Sequence, residues 1–79
     1  MKARYPIGTL VVDEEKGKPG RVMGHEGPYI QLRPPGGGRE WDADPSRVRP
    51  ADEAERLRAS VVEVALTSDR HRNADPAPP

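Results

Sequence analysis

Val48-Arg49-Pro50-Ala51-Asp52-Glu53-Ala54-Glu55 is the stretch at which this chain changes character. Upstream, residues 5–50 are short apolar runs cut by Gly and Pro, the pattern of brief strands and turns. Downstream, Asp52 and Glu55 stand in a D-x-x-E spacing ahead of a periodic apolar run, the pattern of a capped helix start. The spacing predicts a helix over 52–68. Leu57, Val61, Val64 and Ala65 fall on one face at i, i+4, i+7 and i+8, and Val62 and Leu66 widen it. The β-branched run Val61-Val62-Glu63-Val64 also suits a strand. The cap and the Ala, Glu, Arg and Leu before it favour helix. The expected organisation is a β-domain over 1–50, an amphipathic helix over 51–68 and a disordered polar tail over 69–79.

Ile7-Gly8-Thr9-Leu10-Val11-Val12-Asp13 reads as the first strand, with Leu10 and Val12 on one face. Glu14 to Gly20 is a polar turn, and Arg21-Val22-Met23, flanked by Gly20 and Gly24, is a second strand with room for a bulge. His25-Glu26-Gly27-Pro28 is the next turn. Tyr29-Ile30-Gln31-Leu32-Arg33 alternates, with Ile30 and Leu32 inward. Pro34-Pro35-Gly36-Gly37-Gly38 is a loop, and Arg39-Glu40-Trp41-Asp42-Ala43 a fourth strand. Asp44-Pro45-Ser46-Arg47 has the N-cap and N1 proline of a single helical turn, and Val48-Arg49 closes the set. Four or five short strands this closely spaced predict a small barrel, since closure removes exposed edges.

Seventy-nine residues make one domain. Hydrophobic residues make up 33%, there is no Cys, and the aromatics are Tyr5, Tyr29 and Trp41. With no disulfide or thiolate site to staple it, so small a domain depends on a compact barrel, helix docking or oligomerisation. No apolar run reaches the ~20 residues that span a bilayer, and Met1 to Pro6 lacks a signal peptide's apolar stretch. A cytoplasmic protein with no membrane partner is expected. Thirteen basic and thirteen acidic residues cancel; residues 1–50 carry nine Lys/Arg against seven Asp/Glu, and residues 51–79 four against six. That balance lacks the cationic excess of a non-specific phosphate binder. The excess of Arg over Lys, with abundant Ala, Gly and Pro, matches a high-GC bacterial genome.

Gly8-x-Leu10-Val11-Val12, Gly20-Arg21-Val22 and Tyr29-Ile30-Gln31-Leu32 resemble SH3-like barrels of the KOW/Tudor type. In those folds a one-turn helix precedes the last strand, and Asp44-Pro45-Ser46-Arg47 sits where that turn would be. Over residues 5–66 the chain also resembles small actinobacterial proteins of unknown function, in which such a barrel is followed by a C-terminal helix. The resemblance implies a mainly β fold, a small SH3-like barrel of four to five strands followed by one C-terminal α-helix. KOW modules bring RNA or ribosomal protein as partners, which implies nucleic-acid or ribosome association through Arg21, Arg33, Arg39, Arg47 and Arg49.

Chemistry-bearing patterns are sparse. The glycine loop lacks the helix start and Gly-Lys-Ser/Thr ending of a phosphate cradle. His25-Glu26 has Tyr29 where a zinc motif needs its second His, and Asp42 with Asp44 falls short of a hard-cation shell. Ser46, Ser60 and Ser68 have no aligned His. A non-enzymatic chain with no catalytic residue, cofactor or metal is expected. Trp41 is either the main core residue, its N–H then needing a partner, or part of a surface. Tyr5, Tyr29, Arg33, Arg39 and Trp41 around the glycine loop form the expected partner-binding surface, for shape and side-chain recognition of a protein. Arg21, Arg47 and Arg49 are candidate anion contacts. Leu57, Val61, Val64 and Leu66 are the expected helix interface, either against the chain's own barrel or in a homo-oligomer.

Overall fold

The computed structural model describes residues 5–74, with side chains as far as residue 66. Its strands are β1 (Leu10–Asp13), β2 (Lys18–Glu26), β3 (Tyr29–Arg33), β4 (Trp41–Ala43) and β5 (Val48–Pro50). A single 3-10 turn, Pro45–Arg47, joins β4 to β5, and α1 (Glu53–Ala74) follows. The strands form one antiparallel sheet in the order β4-β3-β2-β1-β5. The fold is therefore mainly β with one C-terminal helix, as expected. No ladder joins β4 to β5 among the described residues, so the sheet is not closed by hydrogen bonds.

Turn chemistry explains the register. Asp13 accepts from the Glu15 and Lys16 amides at 2.9 and 3.3 Å, an Asx turn that starts the β1–β2 connection. Gly27-Pro28 alone links β2 to β3, and Gly27 has φ +55°, the left-handed value a two-residue hairpin needs. His25 and Glu26 thus belong to β2 rather than to the turn expected of them. β2 carries a bulge between Val22 and Gly24, where Met23 is the extra residue. Asp44 caps the 3-10 turn, accepting from the Ser46 amide at 2.9 Å.

β1 is buried on both faces. Val11 joins Val22, Ile30, Leu32, Ala43 and Val48 in an inner cluster. Leu10 and Val12 point the other way and form a second cluster with Ala51 and Ala59. The apolar run of β1 is continuous because α1 covers its outer side. Each large inner side chain contributes about 1.5–3 kcal/mol of burial. The small Ala59 lets the helix come close to the strand, and the Ala51 amide ties the connection to the Leu10 carbonyl at 3.1 Å.

The helix start is the reciprocal box that the D-x-x-E spacing predicts. The Glu55 amide donates to Asp52 Oδ1 and the Asp52 amide to Glu55 Oε1, both at 2.8 Å. The 61–64 segment is helical, and α1 continues past Ser68 to Ala74. The first part of the expected disordered tail is therefore helix, and residues 75–79 lie outside the described residues. Arg49 forks onto Glu55, at 2.9 and 2.8 Å, and reaches Glu14 at 3.1 Å, so β5, the β1–β2 turn and the helix start share one cation. The Arg49 fork, and then the Asp52 amide, hold the Glu55 carboxyl at about 2.

Because the folded value lies below the unfolded one, this contribution is complete above the ordinary carboxylate range and is lost as pH falls. Circular dichroism on acid titration is expected to hold down to about pH 4 and to decline between about 4 and 2. Glu55→Gln should flatten part of that decline. Asp52→Ala is expected to cost about 1 kcal/mol in urea unfolding at neutral pH.

Candidate functional site

The outer face of the sheet is divided by what α1 covers. Leu10 and Val12 lie beneath it. Beside them, Arg21 and Arg33 are directly paired across β2 and β3. Arg21 is taken up within the chain: Nε and Nη2 donate to the Glu63 carboxylate at 2.9 and 2.8 Å, and Nη1 donates to the Gly8 carbonyl at 3.0 Å. The Arg21 hydrogen bonds push the Glu63 carboxyl down, and Arg33 adds to this through its charge. Glu63 in turn raises Arg21. This half-buried, bidentate pair sits at the upper end of the surface range, about 1 kcal/mol. Arg33 is exposed and makes no ion pair or hydrogen bond among the described residues.

Next to Arg33 lies an open groove of about 650 Å³. Ile7, Met23, Pro34 and Leu66 give it apolar walls, while Arg33 and the Arg21–Glu63 pair supply charge. Ile7 is 68% exposed at its lip. The glycine loop forms the far wall and rests on the helix. A Cβ placed on Gly36 would lie 3.3 Å from Val62 Cγ1, and one on Gly37 would lie 3.5 Å from Leu66 Cδ2. Gly37 also has φ +88°, so its glycine serves the loop's path. A smaller cleft of about 330 Å³ opens on the other side of Pro35 and Gly36, between Lys18, Arg58 and Val62.

The expected partner surface does not form one patch. Tyr29 and Arg33 share the outer face of β3, and Tyr29 is 49% exposed. Trp41 lies opposite Leu32 on the inner face, half-buried against the inner cluster. Its Nε1 donates to Asp13 Oδ2 at 2.8 Å, and Lys18 Nζ stands 4.2 Å from the ring centroid. Tyr5 packs on that same cluster, its hydroxyl 3.5 Å from the Val48 carbonyl. Arg39 is exposed in the loop. Of the candidate anion contacts, Arg21 and Arg49 are held by carboxylates, and Arg47 is exposed in the 3-10 turn.

Of the expected helix interface, Leu66 alone faces the chain's own sheet and loop. Ala59, Val62, Glu63 and Leu66 turn toward the sheet and its loop, whereas Leu57, Val61 and Val64 are 61–68% exposed. The Arg21–Glu63 pair and the close Ala59 contact set this rotation. Asp13, Ile7, Met23 and Glu63 were not singled out by sequence patterns. An Asp directly after an apolar strand and before Glu-Glu-Lys-Gly is the one signal that marks Asp13 as a turn former.

No group of three His, Asp or Glu among the described residues is placed to hold a metal ion. No helix among them is long and apolar enough to cross a membrane. Comparison with protein-family models, with curated proteins and with solved structures gives no match to this chain.

Proposed function

We propose that this chain is a non-enzymatic protein-interaction module that holds an extended acidic segment of a partner protein in the outer-face groove. The observation that carries this reading is Arg33, an exposed cation that makes no ion pair or hydrogen bond among the described residues, set among the apolar walls Ile7, Met23, Pro34 and Leu66. Apolar walls give contact area, and an exposed guanidinium beside them fixes where a carboxylate sits. The groove is bordered by a sheet and a helix tied by a bidentate ion pair, so a partner meets a preformed surface.

The finer fold reading is an SH3-like barrel. It is supported by the strand order, by the single helical turn between β4 and β5, and by Ala43 and Val48 meeting in one cluster across the open edges. Nucleic-acid association is the less favoured reading, because Arg21 and Arg49 would have to exchange their carboxylates for phosphates.

Selection of extended peptides from a random display library, followed by titration of the selected sequence, tests the proposal. Acidic peptides with apolar neighbours are expected, with affinity reduced about ten-fold or more by Arg33→Glu. Their affinity should fall only modestly between about 0.1 and 0.5 M salt. Selection of no acidic sequence, or indifference to Arg33→Glu, contradicts it.

A further inference from the structure

The outward stripe of α1 has a composition that fits one occupant. Ala54, Leu57, Val61 and Val64 follow the spacing 3, 4, 3 and lie on the side of the helix opposite Ala59, Val62 and Leu66. In heptad terms Ala54 and Val61 are a positions and Leu57 and Val64 are d positions. Ala59 and Leu66 are then f positions, so the sheet occupies the face farthest from the seam. Two copies can approach through this stripe with their sheets on the outside. Val61 at a and Leu57 at d follow the pattern that favours two parallel strands, whereas Ala54 at a and Val64 at d do not add to it.

The flanking charges agree with that orientation. Glu53 is a g position and Arg58 is the e position five residues on, the pair that meets between helices in a parallel two-stranded coil. Both are exposed, and neither forms an ion pair within the described part of the chain. A symmetric dimer would use the contact twice. An antiparallel pairing brings g to g and e to e and leaves Glu53 and Arg58 unmatched.

We infer that the occupant of this stripe is a second copy of the same chain, in a parallel two-helix contact along Ala54, Leu57, Val61 and Val64 with Glu53 of each copy against Arg58 of the other. The seam is short, so the dimer dissociates on dilution. The two grooves beside Arg33 then lie on opposite flanks of a two-fold axis, and the dimer presents both.

Sedimentation equilibrium of the full chain tests the mass. A concentration-dependent dimer is expected, with Val61→Glu monomeric at every loading and unchanged in its circular dichroism, since Val61 is 68% exposed. Orientation is tested by Ala54→Cys in a chain that has no other cysteine. Parallel helices bring the two a-position backbones close enough for a disulfide, whereas an antiparallel pair centred on Val61 holds them roughly 20 Å apart. Rapid oxidative cross-linking is therefore expected. Arg58→Glu should weaken the dimer about five-fold, and Glu53→Lys added to it should restore most of that loss. A chain that stays monomeric at high concentration, a dimer indifferent to Val61→Glu, or a dimer in which Ala54→Cys does not cross-link would overturn the inference.

Discussion

Asp13→Ala is expected to remove about 3 kcal/mol of unfolding free energy, more than any other single polar substitution in this chain. Asp13 is the buried charged residue among those described, 1% exposed at the end of β1. One carboxylate oxygen accepts from the Glu15 and Lys16 amides, and the other from Trp41 Nε1. Lys18 stands opposite it in the β1–β2 ladder and also lies over the Trp41 ring. Truncation strands the indole N–H and loosens the turn that sets the hairpin register. A small domain has only about 5 kcal/mol to lose, so the variant should keep about 2 kcal/mol and melt more than about 10 °C lower. Urea unfolding followed by the single tryptophan measures the loss. A double-mutant cycle with Trp41→Phe separates the indole contact from the turn. A loss below about 1 kcal/mol would mean that water satisfies these groups as well as Asp13 does.

Gly20→Ala carries the second large effect, of opposite physical origin. A Cβ at Gly20 would lie 2.8 Å from Leu32 Cβ and 2.9 Å from Trp41 Cη2. Leu32 is fully buried and has no room to yield, so strand spacing or the indole must shift. The expected cost is about 2–3 kcal/mol, with tryptophan emission moving to longer wavelength as the ring is displaced toward water. Gly24→Ala is the control. Its Cβ meets only the end of the Gln31 side chain, at 3.2 Å, and should cost less than about 1 kcal/mol. Equal losses at the two glycines would show that backbone freedom, rather than the packing of Trp41, is what Gly20 supplies.

These two residues also show where sequence reading reaches its limit. The strands from Leu10 to Pro50, the capped turn at Asp44 and the reciprocal box at Asp52 and Glu55 were legible, because each rests on local propensity and fixed spacing. The burial of both faces of β1 was not, because it depends on where α1 docks. The helix itself was legible, but its rotation was not. Leu57, Val61 and Val64 make the stronger apolar stripe, yet the weaker face of Ala59 and Val62 meets the sheet, guided by the Arg21–Glu63 pair. Long-range ion pairs between residues 42 apart leave no local trace. The same limit applies to the candidate site. Arg21, Arg33, Arg39, Arg47 and Arg49 were all singled out among ten arginines, without a means of telling which were already paired. Trp41, read as core or surface, is half-buried with its N–H on Asp13, a contact that depends on β1 and β4 meeting across the sheet.

Affinity capture from host lysate by the full chain, with and without nuclease, beside Ile7→Glu and Arg33→Glu, tests the central claim most directly. Both substitutions fall on exposed side chains, so the fold is expected to be retained. The account predicts a discrete protein partner that survives nuclease and is lost from both variants. Capture that vanishes with nuclease, or that both variants retain in full, would contradict it.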